Sequence, residues 1–492
     1  MWSSPPGADD GRVTEIITGL DLSLLEILAL LGAIALVMAR WLPPAARSRA
    51  TITAGAVLVA SAIALTATGI RWQMLPVLAG AVLAAPFAFS PLLRRRTGRP
   101  VRRARWWLAL PGSMACAGLI AAGAVAACAF PVPVFPAPTG SFAVGTRVLQ
   151  WTDPLRPETF TADPLDRRTV VVQLWYPAQD SPIDTPRAPY LGRTGDEART
   201  VSEALARATG LPGFLLDDVT RARTHSVFGA PVAREGRFPI VLFSPGSSGV
   251  RTQNTAWAEE LASHGYVVAA LDHPYDSAAV VLADGRTITT ETVSSGDRGK
   301  DEELAAGWTA VRAADLSFVL SRLADLDRAD PLTGRLDTGR VAAAGHSLGG
   351  AAALQAVRQD RRFTAVIDLD GYPHGPVSPA LDRPALAFTQ AITPDTDPRY
   401  LPRLSEVLER GTATSYRLTI PGAAHLTFTD GPLYLPPVPS IAGSLGRTES
   451  PRVVTAATLA FLDAVLRETS ADLPSVLDAY GDLSVHHPDT TR

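Results

Sequence analysis

Between Glu26 and Asp153 the chain has no acidic residue. Over residues 1–152 thirteen arginines face five acids, a balance of +8, so the net charge of −3 for 492 residues leaves −11 for residues 153–492. A polypeptide this long and this uneven is not one ordinary domain. Lysine is almost missing as well, with Lys300 standing alone beside 44 arginines. The arginines form no stripe along the C-terminal part, so the scarcity reads as coding bias toward GC-rich DNA, and no nucleic-acid partner is expected. Cysteine occurs twice, at Cys116 and Cys128, both in apolar surroundings. The rest of the chain therefore has neither a disulfide framework nor a thiol nucleophile. Twelve residues apart, the two cysteines stand about 120° from each other on a helix, which does not suit a shared metal.

What the N-terminal third does have is apolar length. Four stretches, at about 20–39, 51–70, 74–93 and 106–130, approach or exceed the ~20 residues of a bilayer-spanning helix, and past Asp21 at the edge of the first only Glu26 interrupts them with a charge. Asp9, Asp10, Glu15 and Asp21 against Arg12 do not make the basic start of a cleavable secretory signal, so the helices are expected to be retained. Arginine-rich loops stay cytoplasmic, and residues 40–50, Arg71 and the run 94–105 alternate in a way that fits one topology, with both the N-terminus and everything after the fourth helix outside. Trp41, Trp72, Trp106 and Trp107 fall at expected interfaces. Glu26 lacks a second intramembrane acid or histidine to build an ion path and is read as structural. The organisation expected is a membrane region over 1–130 and a Pro-rich linker over 131–140, "PVPVFPAPTG". A catalytic domain over 141–470 and a C-terminal tail over 471–492 follow.

From 141 onward, strand-like runs alternate with helix-like ones. Strands are expected at 141–150, 169–176, 238–244, 266–272, 340–346, 364–370, 385–390 and 415–420, with helices at 195–222, 253–264, 303–324, 348–358, 400–409 and 453–468. This order implies a mostly parallel sheet with helices on both faces, whose site lies at the carboxyl ends of the strands. No internal repeat is evident.

"VAAAGHSLGG", residues 341–350, places Gly345, Ser347 and Gly349 between a strand-like and a helix-like run, the setting of a nucleophile elbow. A serine hydroxyl needs a base and an acid to orient it. His486 and His487 sit in the terminal tail, His264 ends a surface helix, and strand alternation turns His346 away from Ser347. His425, just past the strand at 415–420, is the base candidate. For the acid, Asp370 ends the strand after the nucleophile helix, with Asp368 beside it as helper or cap and Asp395 or Asp397 as rivals. The oxyanion requires backbone N–H donors. Leu348 follows the nucleophile, and "SPGSSG" offers Ser247 after an earlier strand. His273 and Asp276 are expected to border the substrate pocket. No metal ligand set and no cofactor is expected.

In succession, "VVVQLWYPAQ", "PIVLFSPGSSGVRTQ", "ELASHGYVVAALDHPYDSA", "GHSLGG", "AVIDLDGYPHG" and "GAAHLTFTD" resemble the ordered blocks of the plasma-type platelet-activating factor acetylhydrolases. They are more loosely similar to those of bacterial lipases and polyester hydrolases. The resemblance spans about 141–468. It implies an α/β-hydrolase fold, Ser347 as nucleophile, His425 as base, Asp370 rather than Asp395 as acid, and the amides of Ser247 and Leu348 as oxyanion hole. Where that family's oxyanion loop usually begins His-Gly, this chain reads Ser244-Pro245-Gly246, and the four N-terminal helices have no counterpart in the secreted enzymes.

The expectation is thus a serine ester hydrolase anchored in a bacterial cell membrane, acting outside it on short-chain or oxidised acyl esters, phospholipids included, through an acyl-enzyme. Its partners are the ester substrate and the bilayer. An acyltransferase using an envelope sugar or lipid as acceptor is the alternative, and a catalytically silent sensor or scaffold is the other.

Overall fold

The computed structural model describes residues 16–17, 22–96, 106–292, 294–394, 396–469 and 472–488, in two compact units divided between Val132 and Pro133. Asp9, Asp10, Arg12, Glu15, Asp21, Arg99, Arg102, Arg103, Arg105 and Asp395 lie outside the described residues.

Ser23 and Glu26 decide where the first helix begins. The Ser23 hydroxyl accepts from the Glu26 amide at 3.3 Å, and the Glu26 carboxylate accepts from the Ser23 amide at 2.8 Å, a reciprocal capping box. Helix α1 therefore starts at Leu24 and ends at Ala39. Its 16 residues make about 24 Å, short of the ~30 Å hydrocarbon core, which corrects the full-length span expected at 20–39. Glu26 also pairs with Arg71 at 3.4 Å, so its charge is matched at a helix end. Helices α2 (Pro44–Thr68), α3 (Met74–Arg96) and α4 (Trp106–Ala129) complete the first unit. Among the described residues three segments, Ala45–Thr68, Met74–Arg94 and Ala109–Ala129, are long and apolar enough to cross a membrane. Trp41, Trp106 and Trp107 are exposed, whereas Trp72 packs edge-on against Phe130.

The second unit is built on a ten-stranded sheet. Strands β1 (Ala143–Pro157) and β2 (Arg167–Ala178) form a long antiparallel hairpin, with β3 (Val227–Phe228) beside β1. Six strands then run parallel: β4 (Phe238–Ser244), β5 (Val267–Asp272), β6 (Leu336–His346), β7 (Ala365–Leu369), β8 (Ala385–Thr389) and β9 (Ser415–Thr419). A last strand, β10 (Asp482–His486), pairs antiparallel with β9, giving the order β10-β9-β8-β7-β6-β4-β5-β2-β1-β3. The tail expected at 471–492, with His486 in it, thus contributes the edge of the sheet.

Strand β4 shows why the parallel run sits at the centre. Ile240 and Leu242 join one apolar core while Val241 and Phe243 join the other, so alternate residues bury both faces. The first core is closed by α7 (Arg298–Ala329), α8 (Leu348–Gln359) and α9 (Tyr400–Glu409). The second is closed by α6 (Thr255–Ser263) and α10 (Gly446–Leu466). The helix expected over 195–222 is broken: α5 (Gly195–Ala208) stops before Gly210, which has φ +69°, and a 3-10 turn resumes at Gly213–Arg221 after Pro212. Because β4 lies between β5 and β6, the loops leaving β4 and β6 diverge at a switch point, where open α/β sheets carry their sites.

Candidate active site

At the end of β6 the chain makes a turn that ordinary residues avoid. Ser347 has φ +55° and ψ −122°, and α8 begins at once with Leu348. The turn is possible because its neighbours lack side chains. A Cβ on Gly345 would lie 2.1 Å from the Gly349 carbonyl oxygen, and one on Gly349 would lie 2.0 Å from that of Ser244. The Ser347 amide donates to the Leu369 carbonyl at 2.9 Å, fixing the elbow against β7.

Asp370 follows β7 and is itself at φ +55°. Its Oδ1 accepts from the Gln390 amide at 2.8 Å and from the Tyr400 hydroxyl at 2.9 Å, while its Oδ2 pairs with His425 Nδ1 at 2.6 Å. Burial, and then the charge of Asp370, hold the Tyr400 phenol far above its usual pKa, so it stays a proton donor. With Nδ1 donating to the carboxylate, Nε2 is the imidazole nitrogen left to take a proton. Ser247, Ser347, Leu348, Asp370 and His425 line one cavity of 650 Å3. Leu304, Trp308, Tyr372 and His374 form other parts of its wall, and Asp301, Glu302, Asp397 and Arg399 bring charge to it. Asp397, a rival acid, is engaged with Arg298 at 2.8 Å and Arg399 at 2.9 Å instead of a histidine.

His273 and Asp276 do not border this cavity, contrary to the sequence expectation. Both are wholly buried behind the loop that carries Ser247. His273 Nδ1 donates to Asp315 at 2.8 Å, and its Nε2 accepts from the Ser244 hydroxyl at 2.9 Å. Burial, reinforced by Arg312, pushes His273 down to about 4, so one ring nitrogen stays free to accept. Asp276 pairs with Arg312 Nε at 2.5 Å. Arg312 then donates to the Pro245 carbonyl and, at 3.0 Å, to the Gly246 carbonyl. A histidine and an aspartate after a strand end look like pocket residues in one dimension. Here they hold the loop from beneath.

One residue next to the site, His346, has a role that sequence patterns missed. His346 Nε2 donates to the His425 carbonyl at 3.0 Å, and its Nδ1 accepts from Gln253 Nε2 at 3.0 Å. Gln253 Oε1 accepts from the Gly246 amide at 3.1 Å, so one chain of bonds joins the loop of His425 to the loop of Ser247. Burial and the neighbouring His425 keep His346 well below its usual pKa, hence neutral. Asp368 caps the turn by accepting from the Gly371 amide at 2.9 Å, and burial with Asp370 nearby pushes its carboxyl well up. The adjacency of His346 to Ser347 was the available signal. Tyr400 carried none, since its partner is far away in sequence.

A model of the family described as platelet-activating factor acetylhydrolase, isoform II, matches residues 128–298 and 315–472. The platelet-activating factor acetylhydrolase of Cavia porcellus is 29% identical over 220 residues, which are 40% of this chain and 49% of that protein. A probable 1-alkyl-2-acetylglycerophosphocholine esterase of Arthroderma benhamiae is 32% identical over 203 residues, 39% of this chain and 49% of that protein. The chain thus spans about half the length of these curated relatives. Among solved structures, a ferulic acid esterase from Streptomyces cinnamoneus superposes with a TM-score of 0.57 at 30% identity, over 71% of this chain and 98% of that one. The family match takes in more than half of the chain, with Ser247, Ser347, Leu348, Asp370 and His425 all inside it, and by it the chain belongs to the platelet-activating factor acetylhydrolase isoform II family.

Proposed function

We propose that the protein is a membrane-anchored serine ester hydrolase that cleaves short-chain or oxidised acyl esters, with phospholipid esters in that class, through an acyl-enzyme. The observation that carries this reading is the 2.6 Å pair between His425 Nδ1 and Asp370 Oδ2 in the same cavity as the strained Ser347 elbow. Ser347 Oγ attacks the ester carbonyl as His425 Nε2 takes its proton, and Asp370 holds the imidazole in the right tautomer and stabilises its charged form. The amides of Ser247 and Leu348 meet the oxygen on which charge develops. His425 returns the proton to the departing alcohol, and a water repeats the sequence to free the acid. The names of the relatives, acetylhydrolase and esterase, support the same reaction class.

Three segments long and apolar enough to cross a bilayer support anchoring in the cell membrane. The arginines at 40–50 and from Arg94, against the single Arg71 in the loop between, support placing the first and last of these loops in the cytoplasm and the Arg71 turn and the Ser347 unit outside.

The test is hydrolysis of p-nitrophenyl acetate by the full chain in detergent, together with labelling by a membrane-impermeant fluorophosphonate on intact cells. Both signals are expected to vanish in Ser347→Ala. Turnover unchanged in that variant sinks the reaction, and labelling only after cells are broken sinks the outward placement.

A further inference from the structure

Beside the catalytic cavity lies a second, smaller one of 160 Å3. Leu205, Leu216 and Val219 wall it from α5 and the 3-10 turn after it, and Leu426 and Leu435 from the segment after His425. Ser247 lines both cavities, so the oxyanion loop is their common wall.

Three of the polar side chains around the smaller cavity are engaged within the protein. The Ser202 hydroxyl donates to the Leu216 carbonyl at 2.9 Å, and the Thr429 hydroxyl to the Leu426 carbonyl at 2.8 Å. Gln253 is held between Gly246 and His346. A predominantly apolar cavity stays dry, and one of about 150 Å3 accepts a six-carbon ring. The catalytic cavity is of the opposite kind, at 650 Å3 with Asp301, Glu302, Asp397 and Arg399 in its wall.

An ester attacked at Ser347 has two ends that leave its carbonyl carbon in different directions. The charged, roomy side suits a polar alcohol, and the dry side suits a hydrocarbon. Resting on the hydrolase reading above, we propose that the smaller cavity is the acyl-binding site and takes an apolar acyl chain of about six carbons. Leu205 sets its depth, reaching in from the segment that interrupts the regular strand–helix alternation.

The experiment compares kcat/KM for p-nitrophenyl acetate, hexanoate and decanoate in the full chain in detergent. Hexanoate is expected to be preferred by the unsubstituted protein. Leu205→Trp, which fills the cavity, is expected to lower the hexanoate-to-acetate ratio by about tenfold or more, and Leu205→Ala to move the preference toward decanoate. Each ratio is taken within one preparation, so partial loss of folded protein cancels. Leu216→Trp repeats the filling from another wall if Leu205→Trp does not fold. Ester turnover that depends on Ser347 but keeps the same chain-length ratios in the Leu205 and Leu216 variants overturns the acyl site and leaves the hydrolase reading standing. Absence of any Ser347-dependent turnover overturns both.

Discussion

His346 holds the backbone of His425, not its ring nitrogens: its Nε2 proton goes to the His425 carbonyl oxygen, 3.0 Å away. The two rings lie 4.5 Å apart, centroid to centroid. The residue before the proposed nucleophile therefore positions the loop of the proposed base.

His346→Phe keeps a ring of similar shape and removes both of its hydrogen bonds. A misplacement near 1 Å at a reacting group costs up to about 100-fold. The expected result is a fall in kcat of about 10- to 100-fold on p-nitrophenyl acetate, with KM little changed. Steady-state kinetics separate the two, since a variant that merely unfolds loses active sites without selecting between kinetic constants measured per labelled Ser347.

Asp370 receives three donors, and Tyr400 is the one that can be removed without touching the histidine. A hydrogen bond to a charged group contributes about 1.5–3 kcal/mol. Tyr400→Phe is accordingly expected to lower kcat/KM by about tenfold, and Asp370→Asn, which leaves the wrong tautomer favoured, by about 10⁴. Equal losses in the two variants contradict this ranking.

His273 gives the fold an acid limit. Its folded value of about 4, set by burial with Arg312 adding to it, lies below the ~6.5 of an unfolded chain. Between those values the unfolded state binds more protons, so stability rises with pH and is lost on acidification, by at most about 3 kcal/mol. Asp315 favours protonation of His273 less than their contact alone would, because Arg168 shares its carboxylate at 2.8 Å. Neutral His346 acts in the same direction. Thermal melting followed by tryptophan fluorescence is expected to drop steeply from about pH 6.5 to about pH 4, and His273→Gln to flatten that slope.

Asp368 works with the opposite sign. Its carboxyl is pushed up by burial and by Asp370, so the folded state holds a proton that the unfolded state has released above about pH 3.9. Stability contributed by that proton falls as pH rises. Asp368→Asn supplies a neutral group whose carbonyl still accepts from Gly371. Its melting temperature is expected to exceed that of the unsubstituted protein by a few degrees near pH 8, with a smaller gap near pH 4.5. A lower melting temperature at both pH values argues against a buried neutral acid.

Where burial is two-sided, the sequence was legible almost to the residue. The strand expected at 238–244 is Phe238–Ser244, because a short run with six apolar residues before Ser244 fits a central strand. Strand β10 escaped notice since "DLSVH" is a short edge strand whose alternation rests on only two apolar residues, Leu483 and Val485, both half-buried. The start of α1 was readable and passed over: Ser23 three residues before Glu26 is a capping-box spacing. Ser347, Asp370 and His425, found from chain order, line one cavity. Arg312 was invisible because its partners are mostly carbonyls and a carboxylate remote in sequence, and a lone arginine inside a 32-residue helix has no spacing to betray it.

Arg312 and Gln253 hold the loop of Ser247 from opposite sides, one through the Pro245 and Gly246 carbonyls and the other through the Gly246 amide. A loop fastened in this way needs no interface to assemble it. Dispersed ester monomers should then be served as readily as aggregates, with rates following plain saturation through the critical micelle concentration instead of jumping there. Interfacial activation, the habit of enzymes that wait under a cover until they meet a lipid surface, is the behaviour this loop is built to do without.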